Sequence, residues 1–130
     1  MRYSHQRELI LREVLSRTDH PTAEQICTSL RVDCPRLSLG TVYRDLNTLV
    51  EIGKIRRVSI PGEADRFDGE TTVHQHLWCR KCHSVQSLPI PEASLKALVD
   101  ACPDIQAEDY TLTVFGLCSR CLAKETNGEG

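Results

Sequence analysis

The sequence has no long apolar run, no leader-like N-terminus, no internal repeat and no excess of positive charge. A bilayer-spanning helix needs about 18 or more consecutive apolar residues, and no stretch approaches that length, so no membrane span is expected. The first residues are mixed and polar and lack the apolar core of a signal peptide, which predicts a cytoplasmic protein. Apolar and charged residues make up 40% and 26% of the chain. These values favour one ordinary folded domain or two small ones.

The net charge of −2 is unevenly distributed along the chain. Residues 1–67 carry eleven Lys or Arg and nine Asp or Glu, whereas residues 68–130 carry five basic and nine acidic residues. The basic side chains therefore concentrate in the half where a DNA backbone would attract them. An excess of two charges is equally compatible with chance, so this asymmetry supports DNA binding without establishing it.

Hydrophobic periodicity and capping residues predict three short helices and a basic hairpin in the first half. The helices are expected over 6–17, from Thr22 to about 32–35, and over 39–52. Thr22 and Gln25 fit a capping box, Ser38 fits an N-cap, and Gly53 fits the position after a helix end. Strands over 54–60 and 66–68 follow. This order predicts a winged-helix DNA-binding domain over residues 1–67.

Residues 68–130 are expected to form a second, small α/β domain. Strands are predicted over 74–78 and 84–88, a helix over 92–101, a strand over 110–115, and then a polar tail. The fold class is thus α+β, with two small domains and no long linker.

Seven cysteines in a cytoplasmic chain indicate metal binding or catalysis more than disulfides. Four of them form two Cys-x-x-Cys pairs, whose thiolates complete a tetrahedral shell around structural zinc without leaving a position for water. A redox dithiol, two unrelated pairs and an iron–sulfur cluster are the alternatives. The expected zinc ligands are Cys79, Cys82, Cys118 and Cys121.

The other three cysteines, Cys27, Cys34 and Cys102, have no metal-like spacing to another ligand. Cys27 and Cys34 are expected to be small buried or half-buried residues. No partner is predicted for Cys102.

A second group of ligand-type residues straddles the predicted domain boundary. His74 and His76 are two positions apart on a predicted strand, so their imidazoles face the same side. Asp68 and His20 could complete a site of mixed imidazole and carboxylate ligands, which suits Fe(II), Mn(II) or Zn(II). From spacing alone, the two histidines could equally be polar edge residues. An ion held by both domains would select one relative orientation, as in a metal-sensing switch.

The chain resembles the ferric uptake regulator superfamily, which comprises bacterial repressors that sense iron, zinc, manganese or peroxide. The resemblance covers about residues 6–124 and is carried by residues 20–26, 37–46, 66–69 and 74–82 together with the C-terminal Cys-x-x-Cys. It implies a homodimer, formed through the second domain, that binds operator DNA. The sensory ligands that it implies are His20, Asp68, His74 and His76. The DNA contacts that it implies lie on the third helix and the hairpin, at Ser38, Thr41, Tyr43, Arg44, Arg56 and Arg57.

Departures from the family pattern bear on the metal. Ser87 stands where the iron and peroxide branches carry another carboxylate, and Val73 and Gln75 replace ligands of an additional site. The zinc branch carries a cysteine near the position of Asp68. The aspartate favours iron or manganese sensing, with peroxide acting through Fe(II)-driven oxidation of His20 or His74. A zinc-uptake repressor is the alternative.

Two other classes of protein compete with a repressor. A zinc nucleobase deaminase needs His-x-Glu and Pro-Cys-x-x-Cys, but Gln75 follows His74 and Trp78 precedes Cys79. A redox or protein-interaction module would use the Cys-x-x-Cys pairs and leave the third helix and basic hairpin without a role. We therefore expect no enzymatic activity.

Overall fold

The computed structural model describes residues 2–71 and 75–125, with side chains from residue 5 onward. The backbone divides into two compact units, Met1–Thr72 and Val73–Gly130. The predicted boundary after residue 67 lies a few residues earlier, so Asp68 belongs to the first unit. The two domain roles, DNA reading and dimerisation, stay predictions.

The first unit contains three helices and a two-stranded hairpin: α1 (Arg2–Ser16), α2 (Ala23–Leu30), α3 (Leu39–Glu51), β1 (Arg56–Val58) and β2 (Arg66–Asp68). Thr22 begins α2 through a capping box, in which the Gln25 N–H donates to Thr22 Oγ1 at 3.2 Å and the Thr22 N–H donates to Gln25 Oε1 at 2.9 Å. Ser38 caps α3. Gly53 follows α3 with φ +80°, a left-handed conformation that glycine adopts without strain. The predicted caps are confirmed.

The core of the first unit joins all three helices to the hairpin. Helix α1 contributes Ile10 and Val14, and β2 contributes Phe67. The inner faces of α2 and α3 add Ile26, Val42, Leu46 and Leu49, which follow the predicted apolar stripes. Antiparallel pairing of Arg56 with Asp68 and of Val58 with Arg66 sets the register of the hairpin, which we call the wing.

The second unit contains β3 (Gln75–Cys79), β4 (Val85–Ser87), α4 (Glu92–Asp100), β5 (Leu112–Gly116) and α5 (Ser119–Lys124). The strand order is β4-β3-β5, in which β3 pairs antiparallel with β4 and parallel with β5. A crossover that includes α4 makes the parallel pairing possible.

Helix α5 corrects the sequence analysis, which expected a polar tail after the second Cys-x-x-Cys. The helix is only six residues long and buries Cys121, so it has too few turns to show an apolar stripe in the sequence. Its position follows from the cysteines at its start, since Cys118 is its N-cap residue.

Candidate functional site

The two Cys-x-x-Cys pairs meet at one end of the sheet in the second unit. Cys79 is the last residue of β3 and Cys82 lies in the following turn, while Cys118 and Cys121 lie at the start of α5. Because β3 and β5 are parallel, both pairs follow strand ends at the same edge of the sheet. The four Sγ atoms all lie within 4.8 Å of one another.

This cluster fits a tetrahedral zinc site. Zn–S bonds of about 2.3 Å place neighbouring sulfurs of a tetrahedron ~3.8 Å apart, and the Sγ atoms of Cys82 and Cys118 are 3.8 Å apart. Cys79, Cys118 and Cys121 are buried, with Leu77 and Leu117 packed against them. A closed four-sulfur shell gives a structural centre rather than a catalytic one.

Local hydrogen bonds prepare two of these thiols for metal binding. The backbone N–H of Cys82, with that of Cys118, lowers the pKa of Cys79 to about 5, which favours the thiolate that a metal ion binds. The hydroxyl and backbone N–H of Ser84 lower the pKa of Cys82. Burial raises the pKa of Cys121 to about 12, and binding of a cation would reverse that preference.

His20 and Asp68 approach each other within the first unit. The Nε2 atom of His20 lies 3.1 Å from Oδ2 of Asp68, and both side chains are almost fully buried. The Glu70 N–H donates to Asp68 Oδ1 at 3.0 Å, which fixes the other carboxylate oxygen. An imidazole and a carboxylate held together in this way offer two of the ligand types that Fe(II), Mn(II) and Zn(II) accept.

The loop before α2 places His20 against the wing. Phe67 donates its N–H to Pro21 O at 2.9 Å, and Arg66 Nη1 donates to His20 O at 3.2 Å. His20 itself has φ +52°, an unusual backbone conformation for a residue other than glycine. A residue keeps such a conformation only where the surrounding contacts hold it, and residues of this kind are concentrated at functional sites.

An ion pair at the end of α1 holds the beginning of this loop. Arg17 donates from Nε and Nη2 to the two carboxylate oxygens of Asp19, at 2.9 Å and 2.8 Å. The hydrogen bond from Arg17 lowers the pKa of Asp19, which therefore stays ionised next to His20.

Of the two predicted histidine ligands that follow the wing, the structure describes one. His74 lies outside the described residues. His76 is buried on β3, directly opposite Ser87 on β4 and Thr113 on β5. Ser87, identified from the sequence as the position of a missing carboxylate, is therefore the cross-strand neighbour of His76.

The predicted DNA contacts on α3 fall into two groups. The Ser38 hydroxyl accepts from the Thr41 N–H at 3.1 Å and donates to Thr41 Oγ1 at 2.9 Å, so both side chains participate in the helix cap. Tyr43 is 42% exposed and the Arg44 side chain is 55% exposed. The second pair is thus presented on the outer face of α3, as expected for side chains that reach DNA.

The two wing arginines predicted to contact DNA already have protein partners. Arg56 Nη1 donates to Thr71 O at 3.3 Å. Arg57 Nε lies 3.3 Å from Asp65 Oδ2, its Nη2 donates to Asn47 Oδ1, and its guanidinium lies over the Phe67 ring. Any DNA contact by Arg57 would have to compete with these interactions or use the part of the guanidinium that they leave.

The remaining cysteines and histidines belong to neither group of ligands, although His83 directly follows Cys82 and donates its N–H to Cys79 O at 2.8 Å. Cys27 is buried in the core of the first unit, Cys34 is half-buried and Cys102 is exposed. His5 and His83 are exposed, as expected, and the His83 ring stacks on Trp78 with a centroid distance of 5.2 Å.

The sequence analysis missed Asp45, an acidic residue on the inner face of α3. Its side chain is only 1% exposed, and both Arg7 and Arg44 approach it. The signal was available, because Asp45 interrupts the apolar stripe of α3 between Val42 and Leu49.

Among residues 2–71 and 75–125, no helix is long and apolar enough to span a membrane.

Three helices and a wing, followed in sequence by a cluster of four cysteines, are typical of a class of small metal-binding transcriptional regulators. The model of the ferric uptake regulator family matches residues 1–114. This chain belongs to the ferric uptake regulator family. The α+β fold class and the interpretation as a metal-sensing repressor are confirmed.

Individual relatives are similar over most of the chain. The peroxide-responsive repressor PerR of Staphylococcus aureus is 29% identical over 125 residues, which cover 95% of this chain and 84% of that protein. The ferric uptake regulator of Francisella tularensis, solved with iron, has a TM-score of 0.74 at 26% identity and covers 89% of this chain and 90% of its own. The Helicobacter pylori ferric uptake regulator has a TM-score of 0.78 at 22% identity, with coverage of 91% and 80%, a similarity of fold.

Proposed function

We propose that this chain represses transcription when a divalent cation binds His20, Asp68, His74 and His76, while zinc at the four cysteines has a structural role. The observation that carries the proposal is the 3.1 Å approach of His20 and Asp68, two residues far apart in sequence. Burying an imidazole and a carboxylate is costly unless they are paired or bind a metal. A wing that served only as an exposed DNA-binding surface would not need to bury them.

We propose Fe(II) or Mn(II) as the effector, with peroxide as the signal that reverses repression. Imidazole and carboxylate ligands suit these ions, and the relative from Staphylococcus aureus is a peroxide-responsive repressor. By resemblance, His20 or His74 would be the ligand oxidised. A zinc-uptake repressor remains the second candidate, because the same ligand types bind Zn(II).

The partner is double-stranded operator DNA, with α3 in the major groove. The exposed Tyr43 and Arg44 support this placement, since an aromatic ring can contact a thymine methyl group and Arg can donate to base or phosphate acceptors. A repressor of bacterial promoters acts in the cytoplasm, and we place this chain there.

The active form is a homodimer, for which the outer edge of β5 is the candidate interface. Within the described part of the chain, β5 pairs with β3 on one side and with no strand on the other. Val114 and Phe115 on this strand are 40% and 53% exposed. An apolar edge strand of five residues is a template for pairing with a second copy.

The decisive experiment is a titration of zinc-loaded protein with Fe(II), Mn(II) and Zn(II). The DNA is a duplex selected from a random-sequence library by the metal-loaded protein, and fluorescence anisotropy reports binding, with and without peroxide. We expect Fe(II) or Mn(II) to tighten binding and peroxide to reverse only the iron-dependent effect. His20→Ala and His74→Ala should remove the metal response, while His5→Ala, an exposed histidine, should retain it. Equal binding before and after removal of the second metal would contradict the proposal.

A further inference from the structure

Asp45 is a buried carboxylate between two arginines of the first unit. Its Oδ1 lies 3.7 Å from Nε of Arg7 on α1 and 3.9 Å from Nε of Arg44 on α3. The Asp45 side chain is 1% exposed, whereas those of Arg7 and Arg44 are 40% and 55% exposed. One buried negative charge thus lies next to two partly exposed positive charges.

The location of Asp45 is costly for folding unless its charge is balanced. No donor in the described residues forms a hydrogen bond to either of its carboxylate oxygens, and an ionised carboxylate away from water is strongly unfavourable without a partner. Arg7 and Arg44 supply that balance by charge alone. Because both guanidinium groups approach the same oxygen, they are held near each other.

We propose that Arg7 is a second DNA-backbone contact beside Arg44, and that Asp45 is the positioning residue that holds both guanidinium groups. The inference rests on the proposed binding of DNA through α3. Arg presents a planar, permanently charged group that matches phosphate oxygens. Two guanidinium groups that a buried carboxylate already orients lose less conformational entropy when phosphate binds than two unrestrained ones.

The structure distinguishes Arg7 from the other arginine in the middle of α1. Arg12 is 73% exposed, and its Nε lies 3.6 Å from the exposed Glu8. Arg7 instead connects α1 to the buried face of α3 through Asp45. Arg12 therefore provides a matched control on the same helix.

The first test measures the salt dependence of binding to the selected duplex for Arg7→Gln, Arg7→Lys and Arg12→Gln, all loaded with zinc and Mn(II). Each phosphate contact contributes about 0.9 to the slope of log K against log salt concentration. Because the proposed dimer carries two copies of Arg7, we expect Arg7→Gln to lower the magnitude of the slope by about 1.8. Arg7→Lys should keep it near the wild-type value, and Arg12→Gln should leave it unchanged. Equal slopes for Arg7→Gln and wild type would overturn the assignment of Arg7.

The second test uses Asp45→Asn, for which charge and positioning predict opposite results. Loss of a negative charge alone would tighten binding to any DNA. Loss of positioning should instead weaken binding to the selected duplex by roughly tenfold, a difference that anisotropy resolves easily. Binding as tight as wild type, or tighter, would overturn the role of Asp45.

Controls separate these results from misfolding and from failure of the proposed function. Urea unfolding and zinc content establish that each variant is folded, and Asp45→Ser offers a smaller uncharged side chain if Asp45→Asn does not fold. If the wild-type protein itself fails to bind the duplexes, the proposed function fails. If wild type binds but Arg7→Gln and Asp45→Asn behave like it, only this inference fails.

Discussion

His76 on β3 stands directly opposite Ser87 on β4, in an antiparallel pair of the second unit. Side chains at such positions project from the same face of the sheet, with Cβ atoms about 4.5–5.5 Å apart. A residue at position 87 is therefore within reach of a cation bound by His76. This geometry gives a physical meaning to the serine that the sequence analysis identified as a departure from the family pattern.

We predict that Ser87→Glu tightens Mn(II) binding by about tenfold, because a further carboxylate ligand would join His76. Competition with a chromophoric chelator measures the affinity. Gln86→Glu is the matched control, because position 86 lies opposite Leu77 and projects from the other face of the sheet. The same Mn(II) affinity for the two variants would contradict the placement of position 87 beside the site.

Asp68→Asn should abolish the metal response of DNA binding while leaving the structural zinc in place. The amide keeps the shape of the side chain but lacks the negative charge that a divalent cation requires, so we expect Mn(II) affinity to fall on the order of 100-fold. Isothermal titration calorimetry on zinc-loaded protein measures the loss. Asp65→Asn removes a charge from a 44% exposed side chain of the first unit and should change Mn(II) affinity little.

Cys118→Ser should lose the structural zinc, because it removes one of the four thiols of the cluster, whose Sγ atom lies 3.8 Å from that of Cys82. Structural zinc contributes on the order of 10 kcal/mol to the folding of small zinc domains, so the second unit should unfold at ordinary temperatures. Elemental analysis of zinc per chain and circular dichroism measure both effects. Cys102→Ser, at an exposed cysteine outside the cluster, should retain zinc and stability. Retention of zinc by Cys118→Ser would refute the site.

Thr22→Ala should lower the free energy of unfolding by about 1 kcal/mol, because it removes the side-chain acceptor of the capping box that begins α2. Urea denaturation measures the change. Thr28→Ala, in the exposed middle of the same helix, should not destabilise the protein, since alanine has the higher helix propensity. If the two substitutions cost the same, the cap makes no specific contribution.

Local signals predicted most helices and both Cys-x-x-Cys pairs. Thr22, Ser38 and Gly53 determine helix ends through backbone hydrogen bonds within a few residues, and such interactions depend only on nearby sequence. The Cys-x-x-Cys pairs were equally clear, because ligand spacing within each pair is a local property. The sequence therefore predicts that the two pairs form one cluster, although it does not specify how the chain runs between them.

Pairing between distant segments was harder to predict. The parallel pairing of β3 with β5 depends on the α4 crossover and on cysteines at both strand ends, and β5 lacks the alternating burial that identifies many strands. The approach of Asp45 to Arg7 depends on how α1 packs against α3. Both features arise from tertiary packing, which a hydrophobic pattern does not specify.

Val114→Lys should shift the protein from dimer to monomer if β5 pairs along its outer edge with a second copy. Lysine on an edge strand opposes pairing because its charge would have to be desolvated or placed against its own symmetry mate. We expect the dimer dissociation constant to rise by roughly 100-fold, since two such charges would enter one symmetric interface. Sedimentation velocity over a range of concentrations measures the change. Val32→Lys, at an 81% exposed valine of the first unit, should leave the dimer intact. A Val114→Lys protein that sediments as the same dimer would place the interface elsewhere, because an edge pairing would bring the two substituted strands together.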